Sequence, residues 1–129
     1  MDADTPIVIY PEQELTQKIL KGAFAVHNTL GCGFLEKAYS NALLMELRWM
    51  GLGASKRSHS KCDIKEAIIG DYFADLIVER RDLVELKACV GLEKVHEAQI
   101  LNYLKASGIH VGLLMNFGKP KLEYRRFNL

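Results

Sequence analysis

Cysteine chemistry is the first thing this chain has little of. Cys32, Cys62 and Cys89 are odd in number and scattered, which excludes a disulfide framework, and no CxxC spacing suggests a zinc site. Reduced thiols in a cytoplasmic setting are expected. Long apolar runs are missing too: none reaches the roughly 18 residues of a membrane span, and the opening "MDADTPIVIYPEQEL" is acidic where a signal peptide would be basic. No membrane partner is expected. An excess of either charge is absent, with 17 basic against 16 acidic residues and a formal charge of +1, so any attraction to nucleic acid must come from a local patch. With one tryptophan, Trp49, and few exposed-looking aromatics, the composition argues against a platform on which single-stranded bases stack.

What is present is an ordinary globular composition, 49% hydrophobic and 26% charged over 129 residues. Residues 1–129 are expected to form a single domain able to bury about two-thirds of its unfolded surface. Pro11, Glu12 and Glu14 open a helical pattern in which Leu15, Ile19, Gly22, Ala23, Val26 and Leu30 recur at three- and four-residue steps, until "GCG" at 31–33 stops it. A second helix is predicted over about 35–50, with Tyr39, Leu43, Leu47 and Met50 on one stripe and Gly51 as its stop. Strand-like segments follow at about 54–62, 64–69, 72–78 and 83–89, in the manner of an antiparallel meander. Helical character returns over 92–106, then "HVGLLMNF" at 110–117 reads as a buried strand and "LEYRRF" as a last short one. The order predicts a mixed α/β layer structure.

The stretch "FADLIVERRDLVELKA" places charges where a sheet should be burying its surface. A hairpin with "ERRDL" as its loop would set Val78 opposite Val84 and Asp75 opposite Lys87. Ala74, Leu76, Val78, Val84, Leu86 and Ala88 then share an apolar face, while Asp75, Glu85 and Lys87 gather on the other. Asp75 and Glu85 would stand diagonally, with Cα atoms roughly 7–8 Å apart, near enough for both carboxylates to reach one cation. Spacing leaves two readings open: a cross-strand ion pair on a solvated face, or two converging acids that need a cation or a proton between them.

On the helix at 92–106, Gln99 and Tyr103 lie one turn apart on the stripe of Leu92, Val95 and Ile100, opposite Glu93, Lys94, Glu97 and Lys105. A glutamine on a buried stripe needs a partner, whereas Tyr103 is satisfied by core packing. His96 borders that stripe and reads as a satisfied core residue.

"GFLEKAY", with Gly33, Glu36 and Tyr39, followed in order by "ADLIV", "VELKA", "HEAQILNYL" and "GLLMNFG", resembles the GxxExxY family of the restriction-endonuclease-like, PD-(D/E)XK superfamily. The resemblance runs from about Leu15 to Phe127. It implies a restriction-endonuclease-like core: a mixed sheet, an antiparallel meander plus C-terminal strands, flanked by helices, with the acids at mid-sheet. It also implies a divalent-metal-dependent nuclease acting on nucleic acid, DNA first. By that resemblance Asp75, Glu85 and Lys87 match the motif acids and lysine, and Glu36 the acid of the preceding helix. Asp75, Glu85, Glu36 and the Leu86 carbonyl would hold Mg²⁺ or Mn²⁺, which suit hard oxygen ligands. Lys87 would orient or help deprotonate the attacking water, and Gln99 with Tyr103 would hold phosphate or strand backbone.

Two features fit this pattern less well. The turn at Lys65 and Glu66 lacks glycine, and "SKRSHSK" is polar for a central strand. Lys56, Arg57, Lys61, Arg80 and Arg81 offer a basic rim for DNA, or equally the charges that keep an edge strand from aggregating. The rival to an enzyme is a catalytically silent nucleic-acid-binding or protein-interaction module that keeps the fold. A chain this small would need to form a homodimer to cut both strands of a duplex at once.

Overall fold

The computed structural model describes residues 11–56 and 75–129, with the backbone alone at 11 and 12. Helix α1 (Pro11–Leu30) begins with a proline at its first position, where the missing N–H is not needed. It buries Leu15, Ile19, Ala23 and Val26 along one stripe, as their spacing requires. Helix α2 (Glu36–Trp49) buries Tyr39, Leu43 and Leu47 against it.

Five described strands form one sheet: β1 (Ala54–Lys56), β2 (Leu76–Val78), β3 (Asp82–Lys87), β4 (Val111–Asn116) and β5 (Glu123–Asn128), in that spatial order. The first three run antiparallel, with β1 paired directly to β2 where the meander expects a strand at 64–69 between them; β3 and β4 are parallel, and β5 returns antiparallel. The parallel pair is joined by helix α3 (Lys94–Ser107), the long crossover that parallel strands require. The predicted strand at 64–69 and the latter part of that at 54–62 lie outside the described residues.

Parity of the strands decides which helix each face meets. Leu76, Val78, Val84, Leu86, Leu113 and Met115 belong to the core under α1 and α2. On the opposite face Leu83, with Ile77 beside it, packs against Tyr103 and Leu104 of α3. A Cβ on Gly112 of β4 would stand 2.9 Å from the Ile100 side chain, so glycine there lets α3 lie close on the sheet. Central β3 and β4 are covered on both faces, which is why "DLVELK" and "VGLLMN" are almost wholly buried. The result is the mixed α/β fold the sequence predicts, a sheet between helical layers.

Candidate active site

The turn between β2 and β3 sets the register of the site, and here the structure corrects the expected pairing. Leu76 faces Val84 and Val78 faces Asp82, so the loop is three residues, Glu79–Arg81, and not the five of "ERRDL". Asp75, continuing that register, stands across from Glu85, with Lys87 on the diagonal. Glu79 and Arg80 both adopt positive φ, 54° and 55°, and Arg81 N–H donates to the Val78 carbonyl. Non-glycine residues rarely sit there, so the sequence favours a longer loop. Two bonds between Glu79 and Gly53 offset the strain: Glu79 N–H to Gly53 O at 2.7 Å, and Gly53 N–H to Glu79 Oε1 at 3.0 Å. Both loop lengths are odd, so the faces survive the correction. Asp75, Glu85 and Lys87 still share one.

The side chains converge at the end of β3. Asp75 Oδ2 accepts a 2.7 Å hydrogen bond from Leu86 N–H, and Lys87 Nζ lies 3.4 Å from Glu85 Oε1. Glu85 and Lys87 are not surface charges, their side chains being 5% and 18% exposed. Glu36, from the start of α2, completes the group: one carboxylate oxygen from each of Glu36, Asp75 and Glu85 lies within 4.8 Å of the other two. The simple exposed ion pair is therefore excluded as a description of these residues. Burial pushes the Asp75 carboxyl above its ordinary range; the Leu86 N–H opposes this, Glu36 adds to it, and Lys87 and Glu85 pull down, with a net rise. Three carboxylates against one ammonium leave a surplus of negative charge that a proton or a cation would relieve.

The "GFLEKAY" stretch has a local reason for its spacing. Gly33 has φ of 109°, a conformation that L side chains avoid, and it turns the chain from α1 into α2. Tyr39 is fully buried; its hydroxyl donates to Gly31 O at 2.6 Å and accepts from Phe34 N–H at 3.2 Å. Its ring stacks on Phe117 with centroids 4.8 Å apart. Glu36 sits between these two fixtures, so its backbone is held although its side chain is exposed. Phe117 N–H in turn donates to the Lys87 carbonyl. Alternation along the strand then directs the Leu86 backbone toward β2, in keeping with its bond to Asp75.

The other expected residues Gln99 and Tyr103 lie on α3. Gln99 is half-buried, and its Oε1 is buried with no hydrogen-bond partner among the described residues. Tyr103 is fully buried among Leu83 and Leu104, in the core layer between α3 and the sheet. His96 accepts from Glu93 N–H at 3.0 Å and closes a capping box at the start of α3, a structural role. Of the basic rim, Arg57 and Lys61 lie outside the described residues. Lys56 donates to Asn41 on α2. Arg80 and Arg81 are in the β2–β3 turn, about 15–20 Å along β3 from Lys87, so they do not border the acids.

Asn116, paired in register with Lys87, escapes sequence reasoning. Fully buried, it accepts from Cys89 N–H and Gly118 N–H at 3.0 Å, and donates to Cys89 O at 3.0 Å and to Glu123 Oε1 at 3.2 Å. Glu123 Oε1 also takes Leu92 N–H at 3.0 Å. Together they fasten the chain as it leaves Lys87 for α3. A polar residue ending the apolar run "GLLMN" is the signal that could have found it.

This geometry, an acid just ahead of β2 and an acid and a lysine of β3 joined by a helix glutamate at one end of a mixed sheet, agrees with a family comparison. The profile of the PD-(D/E)XK nuclease superfamily matches residues 13–127. The chain belongs to that superfamily. Neither a curated protein nor a solved structure matched it. No helix among the described residues is long and apolar enough to cross a membrane.

Proposed function

We propose that this PD-(D/E)XK chain, of the GxxExxY type, hydrolyses phosphodiester bonds of nucleic acid, DNA first, with a divalent cation, Mg²⁺ or Mn²⁺. The observation that carries the proposal is the convergence of Glu36, Asp75 and Glu85 from three separate elements onto a space one ion could fill. Hard carboxylate oxygens suit these cations, and burial first, with Glu36 adding to it, raises the Asp75 pKa, so the charged carboxylate gains from a nearby cation. The donors therefore fit. Asp75, Glu85 and Glu36 would hold the ion, with the Leu86 carbonyl as the expected backbone ligand. Bound there, it would supply Lewis acidity toward a phosphate oxygen and a lowered pKa for water.

The chain's own residues do the rest. Leu86 N–H fixes Asp75, and the neighbouring Glu85 holds Lys87 Nζ near the acids. From there Lys87 orients the attacking water, helps to take its proton, and offsets charge growing on the phosphate. Gln99 is proposed to meet phosphate or strand backbone through the N–H donors of its Nε2, while its Oε1 can only accept. Tyr103 is assigned to the same substrate-holding element, where its burial anchors the helix that carries Gln99. Residues 1–129 are proposed to act as one domain, and cutting both strands of a duplex together would take two copies.

The test is a cleavage assay over labelled DNA and RNA, single- and double-stranded, with Mg²⁺, Mn²⁺ or EDTA, run beside Lys87→Ala. Metal-dependent cleavage that Lys87→Ala loses supports the enzyme. Binding without cleavage, unchanged in Lys87→Ala, would replace it with the silent binding module.

A further inference from the structure

Phe34 is a large apolar side chain that the fold leaves half exposed, two residues ahead of Glu36 of the acid cluster. Its backbone N–H is bonded to the Tyr39 hydroxyl, and its ring meets the Tyr39 ring edge to face, centroids 6.0 Å apart at 89°. Tyr39 is itself buried and stacked on Phe117. The Phe34 ring is thus fixed on a rigid support, yet 50% exposed, and Leu35 beside it is 83% exposed. Scattered apolar residues on a surface need no explanation. Two in succession, on a braced loop immediately before a carboxylate of the candidate site, invite one.

We infer that Phe34 is a stacking residue for an unpaired nucleobase, and that the substrate is single-stranded where it crosses the acids. The inference rests on the nuclease reading above and adds a substrate class to it. Two residues of chain span at most about 7 Å, so a strand with a phosphate at Glu36 brings a base of the same or the adjoining nucleotide to Phe34. Stacking needs an open π face, which a paired base inside a duplex does not offer and an unpaired one does. A contact at 89° with Tyr39 takes at most one face of the Phe34 ring, and half of the residue stays exposed. Among the described residues of the basic rim, Arg80 and Arg81 stand at the far end of β3 and Lys56 is bonded to Asn41. A sparse aromatic composition thus conceals one ring in the place where a base would need it.

The experiment measures binding of a short labelled single strand and of its duplex to the full chain in EDTA, where metal-dependent cleavage is blocked. Wild type is compared with Phe34→Leu, which keeps apolar bulk against Tyr39, and with Phe34→Trp, which restores a π face. Phe34→Leu is expected to weaken single-strand binding about five- to thirty-fold, the loss of one stacked base, with duplex binding unchanged. Phe34→Trp should recover it. A 2-aminopurine placed in the strand should be quenched by wild type and by Phe34→Trp but not by Phe34→Leu, a signature that a purely structural ring would not produce. Equal single-strand binding by wild type and Phe34→Leu would overturn the inference and leave the nuclease reading standing. Equal losses on both substrates, with a lower melting temperature, would make the ring structural or covered by another part of this chain, and would also overturn it. Wild type that binds no single strand would overturn the inference, while the nuclease reading stands or falls by the metal-dependent cleavage assay above.

Discussion

The Asp75 carboxylate is held against the backbone of Leu86 by a 2.7 Å hydrogen bond, so a residue just ahead of β2 is tied to β3 between Glu85 and Lys87. That bond sets an acid in place without occupying its second oxygen. It also sets Asp75 beside Glu85, which lowers its pKa, while Glu36 raises it and Lys87 stands 3.4 Å from Glu85 Oε1. The charge balance of these few residues makes different variants fail in different ways.

Glu85→Ala removes a proposed ion ligand, whereas Lys87→Ala leaves all three acids and removes their cation. Isothermal titration with Mn²⁺ should show binding lost in the first and kept or strengthened in the second. Cleavage should fall in both, in Lys87→Ala by about two to four orders of magnitude, the range of a lost general base or transition-state charge. Loss of Mn²⁺ binding in Lys87→Ala would show that the lysine builds the site and is not a reacting group.

Asp75 couples the site to pH. Its pKa in the folded chain is raised, by burial first and then by Glu36, so the folded state holds the proton more tightly than the unfolded state. The contribution to stability is full below the ordinary value of 3.8 and is lost as pH rises through the raised one. At neutral pH without metal, Asp75→Asn, which can still accept from Leu86 N–H, should therefore melt at a higher temperature than wild type. The gap should close as the medium is acidified. Added Mg²⁺ should raise the melting temperature of wild type and not that of Asp75→Asn. A variant less stable than wild type in EDTA at neutral pH would contradict this account of the cluster.

Tyr39→Phe removes one hydroxyl that serves two bonds, to Gly31 O and from Phe34 N–H, and leaves the stack on Phe117. A cost of about 1–2 kcal/mol to folding is expected in denaturant titration. Weaker divalent binding should accompany it, because the loop that fixes Glu36 loosens. Unchanged Mn²⁺ affinity would mean that α2 alone positions Glu36.

Asn116→Ala leaves the part-buried Cys89 and Gly118 N–H groups without their acceptor, and about 1–3 kcal/mol of stability should be lost. The variant should also change the acid side of the stability curve. Burial pushes the Glu123 carboxyl up, but bonds from Asn116 and Leu92 outweigh it with the help of Lys119 and Arg125, so its pKa lies below the ordinary value of 4.5. The resulting stability is present above that value and is lost as pH falls through the lowered one. Without Asn116 that acid-linked loss should shrink, which urea melts across the acidic range would detect.

Sequence alone marked the described helices and the face on which each strand residue falls. Three- and four-residue apolar steps marked α1 and α2, because a stripe at that period is buried only on a helix. Alternation in "ADLIV" and "VELKA" put Asp75, Glu85 and Lys87 on one face under either loop length, since a shift of two residues leaves parity intact. Tertiary structure decided what parity could not. Whether Asp75 meets Lys87 or Glu85 depended on a turn that takes positive φ at Glu79 and Arg80, and the bonds that offset its strain come from Gly53, across the sheet edge. The clamp made by Asn116 joins Cys89, Gly118 and Glu123, and the outward brace of Phe34 depends on Tyr39 and, behind it, Phe117. Such contacts reach beyond a single element, so no local period records them. Local preference fixes which way a side chain points along its own strand or helix, but only the closed fold fixes what it finds there.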